Sequence, residues 1–86
     1  MFVILVYDIN ADRVSKVMHI CRKYLHPVQE SAYEGTLTGK KLTSLTSDLN
    51  RVIIPEEDAI SIYCLPGTKY VLKEEIGRTI RNHSVI

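Results

Sequence analysis

Phe2-Val3-Ile4-Leu5-Val6-Tyr7-Asp8-Ile9 opens the chain with β-branched and aromatic residues and a single acid. A run of this length and composition reads as a strand buried inside a sheet. Side chains alternate along a strand, so Phe2, Ile4, Val6 and Asp8 share one face, and Val3, Leu5, Tyr7 and Ile9 share the other. Both faces are apolar. A carboxylate at the end of such a strand must be solvated, paired, or bound to a cation. The plain alternative is an acid that caps the start of the next helix.

The elements that follow decide what surrounds this strand. Asn10 offers an N-cap and Asp12 an acid for the first turn of a helix predicted from about Ala11 to Leu25. Val14, Val17, Met18, Cys21, Tyr24 and Leu25 recur at helical spacing and form its apolar face. Asp12, Ser15, Lys16, His19, Arg22 and Lys23 form the opposite side, and Pro27 stops the helix. Val28 to Leu37 is predicted extended, and Gly35 within it predicts a bend or a division into two pieces. Thr38 can cap a second helix from about Gly39 to Val52, with Leu42, Leu45, Leu49, Val52 and Ile53 on one stripe. Pro55 to Asp58 is a turn, with Glu56, Glu57 and Asp58 expected as surface charge. Ala59 to Leu65 is another strand, closed by Pro66-Gly67. Thr68 to Lys73 is compatible with a short extra strand, and residues 74–86 form a polar tail.

This order, strand–helix–divided strand–helix–strand, predicts an α+β split βαβ sandwich of the ferredoxin-like type, βαββαβ, with an extra C-terminal strand. The domain spans residues 1–73 and the tail 74–86. Both helices then cover one face of the sheet. The other apolar face needs a different cover, supplied by a second copy of the chain or, in the plainer alternative, by the C-terminal tail. The expectation is a two-fold homodimer packed sheet against sheet.

Composition narrows the function. At 86 residues a single domain with a thin core is expected. A net charge of +1 gives no global attraction to nucleic acid, so any such role needs a local basic face. Cys21 and Cys64 match no metal-ligand spacing and read as reduced thiols of a cytoplasmic protein. The apolar start is too short to span a membrane and lacks the marks of a signal peptide. There is no glycine-rich phosphate loop, and His19, His26 and His83 make no compact metal motif.

The dimer gives Asp8 its chemistry. Near a two-fold axis it meets its own copy, and two carboxylates repel unless a proton or cation lies between them. A hard divalent ion with several waters suits such a site, with Mg²⁺ first and Mn²⁺ as a substitute. Bound to phosphate, it would act as a Lewis acid or activate water. Arg13, Lys16, Arg22 and Lys23 on the first helix are candidates to contact a phosphate backbone, doubled by the dimer. The competing reading is an ordinary solvated helix face.

Tyr7-Asp8-Ile9 at the end of an apolar strand, Arg13-Val14, Val28-Gln29-Glu30-Ser31-Ala32-Tyr33-Glu34-Gly35 with Leu37, and Glu57-Asp58-Ala59-Ile60-Ser61-Ile62-Tyr63 together resemble the CRISPR-associated protein 2 family. The resemblance runs through Leu65. It implies a ferredoxin-like homodimer whose short C-terminal strand adds to the partner's sheet. It also implies a DNA-binding scaffold for the CRISPR-associated integrase, protein 1, in acquiring new spacers. The family's acid at the end of the first strand corresponds to Asp8. Its pair across the dimer is linked to divalent metal and to endonuclease activity on RNA or DNA. In that reading Asp8 is the metal ligand, and Tyr7 and Ser31 are supporting catalytic groups. The substrates would be double-stranded DNA or single-stranded RNA. Pro27 stands where the family often carries a basic residue, and the loop after Asp8 is short. Fewer cations weaken phosphate stabilisation at a hydrolytic site more than they weaken a scaffold. Two alternatives share the fold: a toxin-type ribonuclease and a small-ligand binding module.

Overall fold

The computed structural model describes residues 1–68 together with 74 and 76. Four strands and two helices follow in the order β1 (Phe2–Asp8), α1 (Val14–Tyr24), β2 (His26–Gln29), β3 (Ala32–Thr36), α2 (Gly39–Asn50) and β4 (Ala59–Leu65). The sheet runs β2-β3-β1-β4 and every neighbouring pair is antiparallel. This is the ferredoxin-like α+β arrangement expected from the sequence. β1 is central, paired along both edges, with Val3 and Leu5 buried on its helix side. It pairs with β3 from Phe2↔Thr36 to Val6↔Ala32, and with β4 from Phe2↔Leu65 to Asp8↔Ala59.

The helix-side face forms the core. Val3 and Leu5 are fully buried there, with Val17 and Cys21 from α1, Leu45 and Leu49 from α2, and Tyr33 from β3. Burying each large aliphatic side chain contributes about 1.5–3 kcal/mol, so this layer carries most of the hydrophobic stabilisation. Cys21 behaves as an apolar residue, since burial pushes its thiol up to about 12. Cys64 is exposed and also a free thiol. Tyr24 ties the helices together, its phenol donating to Asp48 Oδ2 at 2.8 Å.

Three boundaries differ from the sequence expectation. α1 begins at Val14, with Arg13 at the N-cap and no side-chain cap. Asn10 instead caps a turn: its Oδ1 accepts from the Asp12 amide at 3.0 Å, and its carbonyl accepts from the Arg13 amide at 2.9 Å. The local bonding of Asn10 competes with helix initiation and delays it by a turn. α1 ends before Pro27 as expected, but β2 begins at His26 and not at Val28, so Pro27 lies in an edge strand, where a missing N–H is tolerated.

The division of the extended segment falls at Glu30-Ser31, and Gly35 sits inside β3. Gly35 answers to packing instead. A Cβ there would stand 3.0 Å from Leu25 Cδ2 and 3.5 Å from Leu25 Cα, where the end of α1 crosses the sheet. α2 keeps its expected cap, Thr38 Oγ1 accepting from the Lys41 amide at 3.1 Å. The extra strand expected over 68–73 and the tail over 74–86 lie almost wholly outside the described residues.

On the open side of the sheet, register places Ile4 beside Glu34 and Tyr63, and Val6 beside Ala32 and Ser61. Val6 is 36% and Tyr63 59% exposed. Among the described residues this apolar face has no helix over it. No described helix is long and apolar enough to cross a membrane.

Candidate active site at the end of the first strand

β1 delivers Asp8 to the rim of the open face, where its side chain is exposed and its backbone pairs with Ala59. Tyr7 points the other way, toward α1. Its phenol donates to the Glu30 carbonyl at 3.0 Å, and its amide donates to the Ser31 carbonyl at 3.0 Å. Its ring stacks on Tyr33, with centroids 6.1 Å apart and planes at 28°. Burial, with Tyr33 nearby, pushes the Tyr7 phenol up to about 12. Near neutral pH it is therefore a fixed donor and not a base. The three proposed catalytic residues, Asp8, Tyr7 and Ser31, converge on one cleft of about 660 Å³.

The cleft lies between α1 and the β2–β3 turn, and Arg22 reaches it from α1. Lys16 and Lys23 are exposed elsewhere on α1. Arg13 is placed differently from the other three cations expected to meet phosphate. Its Nε lies 2.6 Å from Asp58 Oδ2, and its Nη2 lies 3.0 Å from Asp58 Oδ1 and 2.9 Å from Glu57 Oε1. A guanidinium so engaged within the fold is the least available of the four.

Asp58 corrects the expectation of surface charge. It is 8% exposed, and its carboxylate also accepts from the backbone amides of Asn10 and Ile54, each at 2.9 Å. The Arg13 guanidinium, with these two amides, holds its carboxyl well below the usual carboxylate range. Asp58 thereby fastens the loop after Asp8 to the loop before β4. No local signal predicts this pair, because its members are far apart in sequence and meet only through the β1–β4 pairing.

A divalent ion, as expected at Asp8 from the sequence, would need ligands. Among the described residues no group of three His, Cys, Asp or Glu side chains could hold a metal within one chain. Glu30 is exposed in the turn, and Glu34 is buried in β3. At the cleft one chain offers Asp8, with Glu30 the other carboxylate in the lining, so a hard cation fits only if a second copy, water or a phosphate oxygen completes the shell.

These features define a class: small ferredoxin-like proteins whose central strand carries one acid to the rim of a sheet face that no described helix covers. The family described as CRISPR associated protein Cas2 matches residues 1–81. The chain belongs to that family. It is 39% identical over 77 residues to the CRISPR-associated endoribonuclease Cas2 of Dictyoglomus turgidum, covering 90% of this chain and 88% of that one. Against the protein of the same name from Thermotoga maritima it is 40% identical, with the same coverage. A crystal structure of Cas2 superposes with a TM-score of 0.85 at 36% identity, covering 100% of this chain and 97% of the other.

Proposed function

We propose that this chain works as a two-fold homodimer in CRISPR adaptation, holding nucleic acid together with the CRISPR-associated integrase, and that its paired Asp8 residues give it metal-dependent phosphodiester hydrolysis. The position of Asp8 carries this reading. It is exposed at the end of β1, on the same face as the uncovered Val6 and Tyr63. Packing two such faces removes apolar surface from water and brings the two Asp8 carboxylates toward one axis.

Asp8 and its copy would hold Mg²⁺ or Mn²⁺, with water and phosphate oxygens as the remaining ligands. Held there, a divalent ion would supply Lewis-acid polarisation of the phosphodiester and activation of water. Tyr7 keeps its proton and fastens the end of β1 to the β2–β3 turn. That bond fixes Ser31 at the cleft and orients Asp8. Arg22 contributes positive charge where the substrate phosphate carries negative charge. The endoribonuclease names of the two relatives support hydrolysis, with RNA as the substrate. Exposed Lys16 and Lys23 support a holding role that needs no hydrolysis.

The test uses the purified chain with labelled single-stranded RNA and duplex DNA, with and without Mg²⁺. Co-purification with the integrase is run in parallel. Asp8→Ala is expected to abolish cleavage and leave association with the integrase and duplex unchanged. Failure to bind either nucleic acid, alone or with the integrase, would remove the proposal.

A further inference from the structure

The cleft beside Asp8 is larger than a phosphodiester site requires. About 660 Å³ lies between α1 and the β2–β3 turn, within the range of small-molecule sites. Its walls are unlike a phosphate cradle. Ile9, Val14, Met18 and Pro27 make them apolar, and the Tyr7 ring adds an aromatic surface. That ring is held at both ends, by the hydrogen bond to the Glu30 carbonyl and by stacking on Tyr33.

The polar groups sit around these walls in a particular arrangement. The Gln29 amide and the Ser31 hydroxyl line the cleft, and neither side chain bonds another described residue. Arg22 lines it too, with no ion-pair partner among the described residues. Asp8 and Glu30 add negative charge at the cleft, so a phosphate is held only beside Arg22 or a cation at Asp8, and the apolar walls are left to a neutral group.

We propose that this cleft is a subsite for one unpaired nucleobase, the base of a nucleotide adjoining the phosphate at Asp8. A base is flat, neutral and apolar on its faces, with donors and acceptors on its edge. The cleft matches this with apolar walls, a rigid aromatic ring, and a free amide and hydroxyl. Arg22 then meets the phosphate of the same nucleotide. A base within a duplex is stacked and paired and does not enter, so the subsite selects splayed single strands. The inference rests on the reading of Asp8 as the phosphodiester site.

The chain's two methionines make it testable. Met18 lines the cleft and Met1 does not. With ¹³C-methyl methionine, the Met18 signal is expected to move upfield by ring current on titration with AMP or UMP in EDTA. Ribose 5-phosphate should leave Met18 in place, and Met1 should stay still throughout. Arg22→Gln should weaken nucleoside monophosphate binding by about two- to fivefold and leave the free nucleoside unchanged. An immobile Met18 methyl, or one that follows ribose 5-phosphate equally, overturns the subsite. Equal weakening of nucleoside and nucleotide by Arg22→Gln overturns the assignment of Arg22.

The two readings fail separately. Metal-dependent RNA cleavage by the wild-type chain with an immobile Met18 sinks the subsite and keeps the Asp8 reading. A base-dependent Met18 shift without cleavage does the reverse.

Discussion

Arg13 grips Asp58 through two parallel contacts, Nε to Oδ2 at 2.6 Å and Nη2 to Oδ1 at 3.0 Å, and so joins the loop after β1 to the loop before β4. This fork geometry gives charge-assisted bonds of fixed direction. Asn10 adds a second tie, its amide donating to Asp58 Oδ1. The residues immediately following Asp8 are therefore held from two sides.

The first prediction concerns acid. The Asp58 carboxyl is depressed in the fold, first by the Arg13 hydrogen bonds and then by the backbone amides of Ile54 and Asn10. A depressed acid contributes stability that is complete above its unfolded value of 3.8 and is lost as pH falls through the lower folded value. Asp58→Asn is expected to lower Tm near neutral pH. The gap to wild type should narrow steadily as melts are repeated toward pH 2. A gap independent of pH would show that the carboxylate charge contributes nothing.

The second prediction runs in the opposite direction. Tyr7 titrates at about 12 in the fold against 10.0 for a free phenol. Its contribution is fully present below the unfolded value and is lost as pH rises through the folded one. Between pH 9 and 12, wild type should lose stability more steeply than Tyr7→Phe. At neutral pH the Phe variant should be less stable by about 0.5–1.5 kcal/mol, the worth of one hydrogen bond. Urea melts at pH 7 and across pH 9 to 12 supply both numbers.

At Gly35 the obstacle is Leu25. A methyl at Gly35 would press on the Leu25 side chain and lie 3.7 Å from the Tyr24 carbonyl. Gly35→Ala is expected to cost about 1–3 kcal/mol in urea unfolding by overpacking the seam between α1 and β3. Leu25→Ala in the same background should recover part of this, since it removes the obstructing atoms. Strict additivity of the two substitutions would contradict the contact.

The fourth prediction separates assembly from chemistry. Val6→Glu with Tyr63→Glu places charge on the open sheet face without touching the buried core. If the chain pairs as proposed, sedimentation should show the dimer replaced by a monomer with unchanged helical circular dichroism, and the proposed cleavage should disappear with it. Asp8→Ala should remove cleavage and leave both the dimer and the urea midpoint in place. A dimer that survives both charges would move the interface off this face.

Much of the architecture is legible locally. The two apolar faces of Phe2–Asp8 announce a strand that needs cover both above and below the sheet, of which the helices supply one layer. Thr38 marks the start of α2, since a side-chain oxygen there satisfies a free amide. Asp8 stands out in the sequence because an acid is costly in such a run. The start of α1 was less legible: Asn10 is as good a turn former as a helix cap, and only the surrounding contacts choose between them.

The order of the elements and the acid at the end of β1 follow from local periodicity and composition, and the fold type they imply sets the place of β1 in the sheet. The tertiary structure alone decided that Arg13 and Asp58 face each other, that Gly35 makes room for Leu25, and that Tyr7, Ser31 and Arg22 share a cleft with Asp8. Those relationships join residues distant along the chain. Their energies come from desolvation, charge pairing and steric fit, which exist only after the strands and helices have packed.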